Sequence, residues 1–159
     1  MKIDDDLRMI LYLDTSALVK RYFREPHSDE LLSQWRSANQ IVTSFVAYAE
    51  TMAAMYRKKR DAALSEAFIG KIASSFRLDW ESFIRVEVNQ ELNGYIDHVV
   101  QTHPLRGFDA IHLASALVVQ ERIPEGFLFA CFDERLVQAA HLEGLETFPG
   151  KELKSTVDA

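Results

Sequence analysis

Four carboxylates stand where an α/β protein can build a metal centre. Asp14 ends the apolar run of residues 10–13, and Asp133 follows the apolar run 127–132. Glu50 lies about two turns into the helix expected after Ile41-Val42-Thr43, and Asp109 opens the segment FDAIHLASALVVQ. Each alone has a plain structural use, as a helix cap, a first-turn acid facing the macrodipole, or a surface glutamate. Asp109 is harder to explain that way. Its helix has hardly any polar face, and an unpaired carboxylate in apolar surroundings is costly. It calls for a cation, a hydrogen-bond network or a metal. Converging carboxylates suit a hard divalent ion such as Mg²⁺, which takes oxygen ligands together with waters and phosphate oxygens. Such an ion activates water and neutralises charge that develops on a phosphate under attack. His112, one turn beyond Asp109, reads as a packed or supporting histidine more readily than as a ligand.

The elements that must position these acids follow from periodicity. A short buried strand at 10–13 feeds a helix for which Ser16 is the expected N-cap, running to about residue 23. Glu25-Pro26 breaks that helix, and Ser28 opens another with Leu31, Leu32 and Trp35 on one face. A second strand at 41–43 leads into a long helix ending near Arg60, with Thr43 or Ser44 as its cap. A tight joint at 59–61 starts a further helix carrying Ala62, Ala63, Leu64, Ala67, Phe68, Ile72 and Phe76. Residues 83–88 alternate as a third strand. Leu92, Tyr95, Ile96 and Val99 form a helical stripe, and 103–107 is a loop. The segment 108–120 is a buried helix. Residues 127–132 form a fourth strand, a helix spans 133–141 until Gly144, and 145–148 is a last strand. Strands alternating with helices predict an α/β fold with a mainly parallel sheet. In such sheets ligands bind outside the carboxyl ends of the strands, where Asp14 and Asp133 fall.

The chain has 159 residues, 48% of them hydrophobic, enough for one domain with a real core. Residues 1–8, with Asp4-Asp5-Asp6, read as an N-terminal extension, 9–150 as the domain and 151–159 as a tail. Met9 is an alternative start to Met1. No secretory signal or membrane span is expected, which points to a cytoplasmic location. Cys131 is the only cysteine, so neither an internal disulfide nor a thiolate zinc site is expected. The net charge of −6 argues against a broadly basic nucleic-acid surface, yet the cations cluster. Lys20, Arg21 and Arg24 form one group and residues 57–60 another. Either group suits a helix end; the first is also a candidate set of phosphate contacts.

The stretches LYLDTSALVKRY, TSFVAYAE, LRGFDAIHLASAL and FDERLVQAA resemble, in order, the signature blocks of PIN-domain proteins, above all the VapC-like toxins of type II toxin–antitoxin pairs. The resemblance spans residue 10 to about 148. It implies a three-layer α/β/α sandwich with a central parallel sheet. It implies that Asp14, Glu50, Asp109 and Asp133 are catalytic and hold Mg²⁺ or Mn²⁺, with Ser16 ordering the site. The activity implied is endoribonucleolytic cleavage by a metal-activated water. The partners implied are an RNA substrate, a cognate antitoxin and a second copy of the chain, for which the apolar face Leu64, Phe68, Ile72 is available.

Other readings of the same residues are a haloacid-dehalogenase-like phosphatase, a receiver-like domain phosphorylated on Asp, and a catalytically silent PIN-fold module that binds RNA or protein. The phosphatase would want a carboxylate at position 16, where Ser stands. The receiver would want its acid pair at the end of the first strand, whereas Asp4 to Asp6 precede it. The intact set of acids argues against the silent module.

Overall fold

In a computed structural model, residues 9–150 are described. The expected extension 1–8 and tail 151–159 lie outside them. Five strands form one sheet in the order β3-β2-β1-β4-β5, every pairing parallel. They are β1 (Ile10–Leu13), β2 (Gln40–Ser44), β3 (Ile84–Val86), β4 (Phe127–Ala130) and β5 (Thr147–Phe148). The helices are α1 (Thr15–Val19), α2 (Ser28–Ser37), α3 (Val46–Asp61), α4 (Glu66–Ser82), α5 (Gln90–Thr102), α6 (Gly107–Arg122) and α7 (Glu134–Leu142).

The central strand β1 shows why the fold has three layers. All four of its residues are buried, as a parallel strand covered on both faces requires. Side chains alternate across a strand, so Leu11 and Leu13 point into one core and Ile10 and Tyr12 into the other. The first core is closed by Ala17 and Leu18 of α1, Leu31 of α2, Met55 of α3, and Ile69, Phe76 and Trp80 of α4. The second is closed by Val99 of α5, Ala110 and Leu113 of α6, and Leu136 and Ala140 of α7. The helix α6 buries an unbroken run from His112 to Val118, in keeping with its all-round apolar sequence. The α/β/α sandwich is therefore present, with the sheet parallel throughout.

Several local expectations are corrected. Asp14, not Ser16, caps α1: its side chain accepts from Ala17 N, and the helix already begins at Thr15. An acid at that place serves cap and crevice together. The helix ends at Val19, because the following amides of Lys20 and Arg21 bond three residues back in tighter turns. Neither Thr43 nor Ser44 is the cap of α3, whose first residue follows Phe45. Thr43 instead spends its hydroxyl on Leu13 O, at 2.6 Å, tying β2 to β1. Ala62, Ala63 and Leu64 belong to the connection rather than to α4. Ala63 takes φ 51°, which ends the helical path, and Ser65 caps α4 by accepting from Phe68 N.

Candidate functional site

Strand order reverses between β1 and β4, which neighbour each other although most of the chain separates them. That switch point opens a crevice at the carboxyl ends of the strands. Asp14 is the residue after β1 and is buried. Asp133 follows β4, is exposed, and caps α7 by accepting from Leu136 N at 3.0 Å. Glu50 faces the crevice from α3 and Asp109 from the first turn of α6. The four sequence-predicted acids come from four separate segments, and Asp109 feels the charges of the other three. Burial first, then the charges of Asp133, Asp14 and Glu50, hold the Asp109 carboxyl above its usual range. Asp14 is likewise raised, chiefly by burial.

Each acid is held by its own neighbours. Asp14 Oδ1 accepts from Ser16 Oγ at 2.7 Å and from Ala17 N at 3.0 Å, and its Oδ2 accepts from the Cys131 thiol at 3.2 Å. The same Ser16 hydroxyl accepts from Phe132 N at 2.9 Å, so it ties the end of β1 to the turn after β4. Burial and the adjacent Asp14 charge push the Cys131 thiol well up, which keeps it a neutral donor. Glu50 Oε1 accepts from Thr15 Oγ1 and from His112 Nε2, both at 2.8 Å. His112 Nδ1 lies 2.9 Å from the hydroxyl of Tyr12, a side chain with no exposure. One tautomer satisfies the whole chain: Tyr12 O–H donates to Nδ1, and Nε2–H donates to Glu50. Burial pushes the Glu50 carboxyl up, but the donors His112 and Thr15 outweigh it and leave it below its usual range. His112 is thus a packed residue that links the core hydroxyl of Tyr12 to Glu50.

Tyr12, Thr15 and Cys131 were not singled out from the sequence. Thr15 had a signal, a hydroxyl directly beside Asp14. Tyr12 points to the core of α6, a fact its alternation on β1 contains but its partner His112, 100 residues away, does not reveal. Cys131 meets Asp14 only because β4 pairs with β1 in the register Leu13 to Ala130.

Among the described residues, no three His, Cys, Asp or Glu side chains stand together closely enough to hold a metal ion as placed. Asp14 is turned to Ser16, Ala17 and Cys131, Glu50 to Thr15 and His112, and Asp133 to its own helix. The donor set nonetheless fits a hard divalent ion in kind, since it is made of carboxylate oxygens. Among the described residues no Lys or Arg forms an ion pair with Asp14, Glu50, Asp109 or Asp133. The repulsion that raises Asp109 is therefore not relieved by a side-chain cation of that kind, and a divalent ion would relieve it.

The basic residues are distributed unevenly around this crevice. Lys20 bonds Glu25 at 3.2 Å and lies over the ring of Phe132, beside Asp133. Arg21 approaches Asp79 at 3.8 Å and covers Trp35, and Arg24 pairs with Asp29. Lys58 and Lys59 are paired with Glu25 and Glu66. A groove of about 420 Å³ runs along α3 from Glu50 to Arg57, with Phe108 on its other side.

A parallel α/β/α sandwich with carboxylates gathered at its switch point defines a class of protein with an acidic crevice on a rigid sheet. The PIN domain family matches over residues 11–142. Ribonuclease VapC45 of Mycobacterium tuberculosis is 34% identical over 146 residues, covering 89% of this chain and 96% of that relative. Ribonuclease VapC46 of the same organism is 33% identical, over 85% and 93% of the two chains. The chain belongs to the PIN-domain family. Among solved structures, VapBC2 of Rickettsia felis, bound to a promoter DNA fragment, matches with a TM-score of 0.59 at 14% identity, over 87% of this chain and 97% of that one. The sarcin–ricin-loop-cleaving toxin VapC20 of Mycobacterium tuberculosis matches at 0.54 and 17%, over 81% and 94%. At these identities the likeness concerns the fold.

Proposed function

We propose that this chain is a metal-dependent endoribonuclease, the toxin of a type II toxin–antitoxin pair. Asp14, Glu50, Asp109 and Asp133 are its catalytic carboxylates and the ligands of Mg²⁺ or Mn²⁺. The observation that carries the reading is the placement of these four acids around one switch point, close enough that the charges of Asp133, Asp14 and Glu50 add to the burial that raises Asp109. The 34% identity to curated VapC ribonucleases over nearly the whole chain supports the activity and its substrate class. When bound, the ion supplies charge neutralisation at the attacked phosphate and a more acidic water.

The chain's own residues do the rest. Asp14 is mounted at the end of the central strand, and Ser16 and the Cys131 thiol set the direction of its two oxygens. Glu50 is aimed by Thr15 and by the Tyr12–His112 relay. Asp109 and Asp14, whose carboxyls are both raised, are the acids that favour taking up a proton in the crevice. Lys20, Arg21 and Arg24 would contact phosphates by exchanging their carboxylate partners for the RNA backbone. The neighbouring VapBC structures support an antitoxin as partner. A homodimer would use the face formed by α4 and the connection before it, where Phe68 is 48% exposed and Leu64 and Ile72 are half-buried. No helix among the described residues is long and apolar enough to cross a membrane.

The test is cleavage of a mixed RNA pool by the purified chain with Mg²⁺ or Mn²⁺ and with EDTA. Cleavage that needs the ion, and that is lost in Asp14→Asn and Asp109→Asn while both variants keep a native circular-dichroism spectrum, is the expected result. Wild-type cleavage by either variant would remove these acids from the mechanism.

A further inference from the structure

Phe108 occupies an unusual place. The helix it enters, α6, is buried along most of its length, yet Phe108 is 57% exposed, more than any other aromatic residue among the described residues. It directly precedes Asp109, and it borders the groove whose near end holds Glu50. Arg57 stands at the far end of that groove, seven residues after Glu50 on α3. Two helical turns put both on the same face, about 10 Å apart along the axis. Arg57 is exposed and has no ion pair among the described residues, whereas Lys58 and Lys59 beside it are paired with Glu25 and Glu66. Ala53 lies between, leaving the floor of the groove low.

We infer that Phe108 and Arg57 form a nucleotide subsite for single-stranded RNA, with Phe108 stacking one unpaired base next to the cleaved bond and Arg57 holding a backbone phosphate. The inference rests on the ribonuclease reading and specifies the form of its substrate. An aromatic face and a cation spaced along one groove is how proteins track single strands, because every base offers a π-face and every nucleotide a phosphate. The groove is mostly apolar, with a guanidinium at one end and an exposed aromatic ring on its side, which suits a nucleotide whose base takes the apolar wall and whose phosphate takes the cation. Arg57, without a carboxylate partner among the described residues of a chain of net charge −6, offers this groove a cation for a phosphate. Base-paired RNA cannot use the subsite, since an A-form helix keeps its bases stacked on one another.

The experiment uses the purified full chain with Mn²⁺ and a fluorogenic single-stranded RNA of mixed sequence. It then uses the oligonucleotide cleaved best, with the nucleotides flanking the cleaved bond replaced one at a time by abasic ones. Phe108→Ala should raise KM about tenfold or more, with a smaller change in kcat, and Phe108→Trp should restore it. Arg57→Gln should raise KM and flatten its dependence on salt. One abasic position should cost the wild type the same factor and cost Phe108→Ala nothing. An unchanged KM in Phe108→Ala would overturn the subsite, as would an abasic penalty equal in both proteins. So would a Phe108→Ala effect seen only on binding of an inhibitory partner protein. A wild type that cleaves no RNA at all would overturn the ribonuclease reading together with the subsite, and it is read before any variant is made.

Discussion

The relay from Tyr12 through His112 to Glu50 makes a quantitative test, because every member sits in a known environment. Tyr12 has no exposure, stacks on Phe129 at 5.4 Å, and meets the His112 ring edge-on at 5.9 Å. Tyr12→Phe keeps the ring and removes one oxygen, so packing changes little. What is lost is a 2.9 Å hydrogen bond, and His112 Nδ1 is left buried without a partner. An unsatisfied buried polar atom costs about 1–3 kcal/mol, so about 2 kcal/mol of stability should go. In a domain of this size that lowers Tm by roughly 4–8 °C. His112→Leu removes the other partner, and Tyr12→Phe in that background should then cost little. The double-mutant cycle should therefore show clear coupling. Loosening His112 also frees Glu50, and such supporting contacts are worth about 10-fold to 100-fold in metal affinity or activity. The Mn²⁺ concentration for half-maximal cleavage should rise accordingly in Tyr12→Phe. Additive melting temperatures across the cycle, with an unchanged Mn²⁺ requirement, would refute the relay.

Further outcomes follow from the same geometry. Because the Asp109 carboxyl is raised in the fold, the folded protein binds more protons than the unfolded chain. That contribution is whole below the unfolded value near ~4 and is lost as pH rises through the folded value. In EDTA, Asp109→Asn should thus match the wild type at low pH and gain on it toward neutrality; a variant that melts lower at pH 7 would make Asp109 a structural acid. Mn²⁺ at a hundredfold excess over its dissociation constant should stabilise the wild type by about 2.7 kcal/mol and Asp109→Asn much less, as differential scanning would show. Ser16→Ala strips the bridge between Asp14 and Phe132 N, and should lower both cleavage and stability, the latter by about 1–2 kcal/mol in urea melts. Phe68→Glu should turn a homodimer into a monomer in light scattering without impairing cleavage; an unaltered dimer would place the interface elsewhere.

Much of this protein is legible along the chain because the signals are local. Four apolar residues stopped by Asp14, or a helix apolar on all sides after Asp109, state their own burial, since period and composition decide which faces can meet water. Asp14, Asp109 and Asp133 therefore fall at strand ends and a helix start on the sequence alone, and Glu50 inside the helix after the second strand. Their company is not legible there. Cys131 touches Asp14 because β4 lies against β1 in one register, and His112 reaches Glu50 because α6 and α3 flank the same sheet end. Such contacts are chosen by how whole elements pack, over separations that leave no periodic trace. The caps show the same limit at short range. Asp14, Thr15 and Ser16 are all competent N-caps, and the competition among them is settled by which hydroxyl the crevice needs elsewhere. Phe108 is the clearest case. Its pattern says buried helix, but the helix enters the core only after its first turn, and the ring is left standing in the groove.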